Sequence, residues 1–175
     1  MNSIEIRTER LLLRPVELSD AATTHEYSSD LENTRFMMYL PYESYEETEQ
    51  TLRRAVEEWQ KEQPSRCEFA IVKGGVHIGG VTLYFVGDRT EMELGWILHR
   101  AYWHRGYLHE AAAALIEYAR TNLNARRIFA CCDSENTASY RAMERLGMRR
   151  VSCEGGRRNR SMDEERKELV YELVF

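Results

Sequence analysis

The stretch Trp103-His104-Arg105-Gly106-Tyr107-Leu108-His109-Glu110-Ala111 holds the residues best suited to handle a charged ligand. A glycine followed by a helical pattern opens a helix whose first amides have no partner in the chain. Those N–H groups and the positive end of the helix dipole form a site for an anion such as a phosphate. Arg105 adds a fixed positive charge, and the run Ala111-Ala112-Ala113-Ala114 lets the helix lie close to a sheet. Many strand-to-helix turns of this kind hold no ligand, so the segment alone leaves both readings open.

Other constellations are weaker. His99 stands at the end of a strand pattern, and its unperturbed pKa suits proton transfer. His99, His104 and His109 are spaced by five, and His109-Glu110 begins the H-E-x-x-H pattern, but position 113 is alanine, so no metal site is expected. No G-x-S-x-G hydrolase elbow occurs. Cys67, Cys131, Cys132 and Cys153 match neither a zinc pattern nor C-x-x-C; Cys131 and Cys132 sit in an apolar run and read as buried thiols, which fits a reducing cytoplasm. Arg141, Arg145, Arg149, Arg150, Arg157, Arg158 and Arg160 face only Glu144 and Glu154 between positions 141 and 160. They read either as a solvated, salt-bridged face or as a patch for a phosphorylated ligand. The formal charge of −5 argues against nucleic acid as a partner. No apolar run is long enough for a membrane span, and the first residues carry no secretory pattern.

The elements that must hold these residues follow from periodicity. Ile4 to Val16 reads as a strand that bends or bulges, with Pro15 near its end. Ser19 and Asp20 can cap a short helix through Ala22 and Tyr27. Ser44-Tyr45-Glu46-Glu47 is a capping box before a helix with Thr48, Leu52, Ala55, Val56 and Trp59 on one face. Cys67 to Lys73, Val76 to Val86 and Thr90 to His99 make three meandering strands, joined at Gly74-Gly75 and Gly87-Asp88. A helix from Leu108 to Leu123, a strand from Arg127 to Cys132, a helix from Asn136 to Leu146 closed by Gly147, and strands Met148 to Cys153 and Glu168 to Val174 complete the chain. Thr90 to Cys132 is a strand-helix-strand crossover and so predicts a parallel pair inside a mixed sheet. At 175 residues the chain has room for one core, which predicts a single domain over 1–175.

Three segments, in order, resemble the GNAT superfamily of N-acetyltransferases, and most closely its RimJ/RimL-like branch. Glu93, Leu94, Gly95, Leu98, Tyr102, Trp103, Gly106, Tyr107, Glu110 and Ala111 match the branch pattern E-L-G-Y-x-L-x-P-x-Y-W-G-x-G-Y-A-x-E-A. Ile6 to Arg14 is similar to its first strand. Asn136-Thr137-Ala138-Ser139 continuing to Glu144-Arg145-Leu146-Gly147-Met148 is similar to its N-x-x-S-x-x-x-x-E-K-L-G-F segment. His104, Leu108 and Arg100 depart from it, and the bulk of Leu108 stands where the branch has glycine or alanine.

The resemblance implies an α+β, three-layer fold. Its mixed, mostly antiparallel sheet would have about seven strands, with a splayed parallel pair and flanking helices. It implies an acetyl-CoA-dependent N-acetyltransferase acting by direct attack of a primary amine in a ternary complex, with no metal. The alternative is a non-catalytic acyl-CoA-binding or protein-interaction module of the same fold. The pantetheine arm would pair with the main chain of Ile97, Leu98 and His99, and the diphosphate would rest on the amides of His104, Arg105, Gly106, Tyr107, Leu108 and His109. Arg145 would serve the cofactor as well. Asn136 would orient the arm or a water, or else simply cap its helix. Ser139 would protonate the leaving thiolate, because the tyrosine many relatives use is replaced by Met143; Tyr140 is the neighbouring substitute. Glu93 would act as base through water, against a structural reading as a carboxylate bonded to backbone or arginine, with His99 as competitor. The expected partner is an amine, either a protein N-terminus or a small molecule, and a homodimer is left open. The helices Ser19 to Ser28 and Ser44 to Gln63 would wall its pocket, with Tyr39, Tyr42, Tyr45 and Trp59 as lining candidates.

Overall fold

The computed structural model describes residues 4–175. The chain opens with a hairpin where the periodicity predicts one bending strand. β1 (Ile6–Arg7) and β2 (Leu12–Pro15) pair antiparallel, with Ile6 opposite Leu13. The Thr8 N–H donates to the Leu11 carbonyl and the Leu11 N–H to the Thr8 hydroxyl oxygen, each at 3.0 Å, which closes the turn. A turn without glycine or proline leaves little trace in the apolar pattern.

A short 3-10 turn (Leu18–Asp20) leads into α1 (Ala21–Ser28). The predicted capping of this helix by Ser19 and Asp20 does not form. The buried Asp20 carboxylate instead accepts two hydrogen bonds from Arg14, at 2.7 and 2.8 Å, and one from the Glu17 N–H at 2.9 Å. A one-turn helix, α2 (Leu31–Thr34), was not expected; the Asp30 side chain starts it by accepting from the Glu32 and Asn33 amides. α3 (Tyr45–Glu58) begins as its sequence predicts, with the Ser44 hydroxyl accepting from the Glu47 N–H at 3.1 Å. The Glu47 carboxylate reaches one residue further back than a capping box requires, to the Glu43 N–H at 2.9 Å.

The meander follows as β3 (Arg66–Lys73), β4 (Val76–Val86) and β5 (Glu91–Leu98). α4 (Tyr107–Asn122) crosses over to β6 (Arg127–Asp133), which lies parallel to β5. α5 (Thr137–Arg145) ends at Gly147, whose φ of 82° is the left-handed stop expected there. β7 (Arg149–Arg158) and β8 (Glu165–Val174) close the sheet. The strand order is β1-β2-β3-β4-β5-β6-β8-β7, eight strands where about seven were expected, because the first folds back on itself. Among the described residues no helix is long and apolar enough to cross a membrane.

The period-two alternation of the strands divides the core between the two faces. Phe69, Ile71, Leu83, Met92 and Leu94 share one cluster with Ala111, Ala112, Leu115 and Ala119 of α4. Ala70 and Val72 meet Leu52 and Ala55 of α3 on the other face. The fold is therefore three layers, and Met92, Leu94 and Leu98 of β5 point toward α4. By the same alternation Glu93, Gly95 and Ile97 point to the opposite face.

Candidate active site

β5 and β6 are paired over three positions only: Glu91 with Arg127, Met92 with Ile128, and Glu93 with Phe129. Beyond Glu93 the strands part. β5 stays with β4 as far as Leu98 opposite Gly79, while Ala130 to Asp133 of β6 pair with β8. Arg127 fastens the closed end, bonding Glu91 and Glu172 at 2.8 Å each. The open end leaves one edge of β5 without a neighbouring strand.

Register decides which groups lie on that edge. The His99 N–H donates to the Ile78 carbonyl of β4 at 2.9 Å. In an antiparallel pair alternate residues face alternate sides. Ile97 and His99 therefore turn their main-chain groups toward β4, while Trp96 and Leu98 turn theirs into the gap. Of the expected trio Ile97, Leu98 and His99, the register turns only Leu98 into the gap, together with Trp96. The Leu98 carbonyl already accepts from the Trp103 indole N–H at 2.8 Å, which leaves the Leu98 N–H on the gap. Gly79 makes this placement possible. A side chain there would run into the Ile97 carbonyl, so β4 and β5 approach closely only because the position is glycine.

At the mouth of the gap the chain passes through a 3-10 turn (Arg100–Tyr102) and enters α4. His104 (φ 60°) and Gly106 (φ 78°) both adopt left-handed conformations, and no side chain caps the helix. The first helical bond runs from the Glu110 N–H to the Gly106 carbonyl. Among the described residues the six amides from His104 to His109 have no acceptor. Leu108 does not obstruct them; its half-buried side chain packs on the main core. The side chains of His104, Arg105 and His109 are exposed around the row. Six unpartnered amides at a helix N-terminus fit a diphosphate, and a free strand edge fits an amide-bearing arm.

The candidate catalytic groups lie on either side of the gap. Asn136 caps α5, its side-chain oxygen accepting from the Ser139 N–H at 3.2 Å, so the capping role is realised. Ser139 is half-buried beside Cys132. Burial pushes the Cys132 thiol up to about 11 and that of Cys131 to about 12, so both are protonated at neutral pH. Tyr140 packs against the core. Glu93 is half-buried on the α3 face and, among the described residues, forms no hydrogen bond or ion pair through its carboxylate. Burial raises its pKa, the nearby Glu168 raises it further, and Arg157 opposes both. His99 is less available than its position suggested. Nδ1 accepts from the Ala101 N–H at 3.1 Å, which places the ring proton on Nε2, 3.8 Å from Glu26.

The arginine cluster separates by partner. Arg149, Arg157, Arg158 and Arg160 are paired with Glu172, Glu168, Glu165 and Glu47. Arg141, Arg145 and Arg150 have no carboxylate partner among the described residues, and all three are exposed. Arg157 matters beyond its ion pair, because it also donates to the Phe36 carbonyl at 2.9 Å. The Arg160 N–H donates to the Met37 carbonyl. These bonds tie the segment Arg35 to Tyr39 to the end of the β7–β8 hairpin. Trp59 is structural: it packs edge-on against Phe69 and donates to the Glu68 carbonyl. Tyr45 lies against His25, Tyr39 is 77% exposed, and Tyr42 is half-buried. No local pattern in the sequence distinguishes Arg157 from its neighbours.

Known proteins resemble this chain in sequence and fold. The sequence profile of the acetyltransferase (GNAT) domain matches residues 10–149. The uncharacterized N-acetyltransferase YnaD of Bacillus subtilis (strain 168) is 34% identical over 148 residues, covering 84% of each chain. The crystal structure of a GNAT-family acetyltransferase from Bacillus anthracis superposes with a TM-score of 0.86 at 28% identity, over 98% of both chains. RimL, a ribosomal L7/L12 alpha-N-protein acetyltransferase crystallised with coenzyme A, shares the fold with a TM-score of 0.85 at 18% identity, over 98% of each chain. The open amide row, the parted strands and these matches together establish that the chain belongs to the acetyltransferase (GNAT) family.

Proposed function

We propose that residues 1–175 form one domain that transfers the acetyl group of acetyl-CoA to a primary amine by direct attack in a ternary complex, and that it stands with the RimJ/RimL-like branch. The observation that carries this reading is the row of six unpartnered amides from His104 to His109, opening beside the free edge of β5. Acetyl-CoA supplies the activated acyl group as a thioester.

The chain's own groups divide the remaining work. The amides of His104 to His109 bind the diphosphate, with the Arg105 side chain beside them and the exposed Arg145 of α5 as a further phosphate ligand. Trp96 and Leu98 bind the amide-bearing arm along the edge of β5. The Leu98 N–H points into the gap, where a fixed donor can polarise a carbonyl that gains negative charge, as an oxyanion hole does. Ser139 supplies the proton to the departing sulfur; its capped position at the start of α5 fixes its direction. Glu93 takes the proton from the ammonium form of the acceptor, through water. Its raised pKa brings it closer to an α-amino group of about 8 and so eases the transfer. Direct attack is favoured over an acyl relay through cysteine because Cys131 and Cys132 remain thiols at neutral pH.

The fold shared with RimL supports a protein N-terminus as acceptor, and a small amine fits the same chemistry. The four free cysteines accord with a reducing cytoplasm. The test is acetyl-CoA turnover against a panel of N-terminal peptides and small amines, read by release of free thiol. Amine-dependent release is expected. Tight binding of coenzyme A with no release for any amine would identify a binding module instead.

A further inference from the structure

Arg10 and Glu110 are 100 residues apart in sequence and meet at the mouth of α4. The Arg10 Nε–H donates to Glu110 Oε2 at 2.7 Å, and the Arg10 main-chain N–H donates to Oε1 at 2.8 Å. The Thr8 hydroxyl completes the cradle at 2.6 Å from Oε1. From the same guanidinium, Nη1 donates to the Arg105 carbonyl at 3.0 Å, and the group lies 4.6 Å over the Tyr107 ring. Nη2 would stand 3.3 Å from a Cβ at Gly106. One arginine therefore contacts two parts of the loop, the Arg105 carbonyl and the ring of the first helical residue, and its Nη2 fills the space beside the left-handed glycine.

The charge arithmetic gives this contact a purpose. A carboxylate in the first turn ordinarily stabilises a helix by complementing its dipole. Here that end of the helix is the one left open for a dianion, and Glu110 lies within a turn of it, so an unpaired carboxylate would repel the ligand.

Resting on the function proposed above, we infer that Arg10 is a positioning residue that serves the diphosphate loop through Glu110: it holds and neutralises that carboxylate, so that the amide row accepts a dianion. The N-terminal hairpin, which carries Thr8 and Arg10, is thereby part of the cofactor site although it lies across the sheet from the gap's catalytic groups.

The experiment measures coenzyme A affinity by titration calorimetry, together with KM and kcat for acetyl-CoA, in the wild type, Arg10→Gln, Arg10→Lys, Glu110→Gln and the Arg10→Gln/Glu110→Gln double variant. Thermal melting of each variant reports folding. Arg10→Gln should weaken affinity on the order of tenfold and raise KM with little change in kcat. That defect should shrink between about 0.05 and about 0.5 M salt, as screening predicts. Glu110→Gln should bind as tightly as the wild type or more so. The double variant should recover most of the loss, and Arg10→Lys, which keeps the charge, should stay within roughly threefold of the wild type. A tether with no electrostatic role behaves differently. In that case Glu110→Gln weakens binding as much as Arg10→Gln does and the double variant recovers nothing, which overturns the inference. If the wild type itself does not bind coenzyme A, the function proposed above falls, and that result is separable from every arm of this cycle.

Discussion

The entrances of α3 and α4 are built on opposite plans. At α3, Ser44 accepts from the Glu47 amide and the Glu47 carboxylate folds back to Glu43, so the chain closes its own helix end. At α4, a left-handed glycine takes the capping position and six amides stay open. α5 follows the first plan, with Asn136 as its cap. At α3 and α5 a side chain of the chain itself takes up part of the helix end; at α4 that end is left open, as an anion site requires.

Substitutions can break that contrast, and their effects should fall in a clear order. Gly106→Asp should abolish coenzyme A binding, a loss of at least a hundredfold by calorimetry, because it adds a carboxylate to the open row and strains a φ of 78°. A melting curve near that of the wild type would show that the loss lies in the site. Glu93→Gln should lower kcat by about a hundredfold. It should also remove the acid limb of the pH profile. The sign follows from the raised pKa: the carboxylate works as a base above it, and activity falls as pH drops through it. An unmoved acid limb would return Glu93 to a structural role. Ser139→Ala should reduce kcat by roughly tenfold while coenzyme A affinity stays constant, since proton donation to a thiolate, a weak base, can in part be taken over by water. Ser44→Ala makes the converse point: it should cost about 1 kcal/mol in denaturant unfolding and leave acetyl-CoA kinetics unchanged. If it disturbed binding as strongly as the change at Gly106, the two entrances would not be functionally distinct.

Much of this architecture can be read from the chain. The meander from Arg66 to Leu98, the crossover through α4 and the stop at Gly147 follow from alternation, turn glycines and capping residues, all of which act over a few positions. What escaped the sequence depends on longer reach. The Thr8–Leu11 turn is closed by a side chain and has no turn dipeptide. Asp20 looks like a cap until Arg14 is folded against it. That Leu98, and not Ile97 or His99, faces the gap is a matter of strand parity, set by the register of β5 on β4, which no local motif announces. The loop itself was legible because Gly106 and the residues around it carry its chemistry in one stretch. Its partner Arg10, near the start of the chain, was not.

The three-position seam between β5 and β6 has one more consequence. A sheet held by so few rungs at its centre is mechanically weakest there, and the missing rungs are the groups offered by Trp96 and Leu98. Any guest lying along that edge acts as a temporary ninth strand, stitching the two halves of the sheet together for as long as it stays. Occupancy and cohesion then rise and fall together by mass action, so the protein is stiffest while it is loaded.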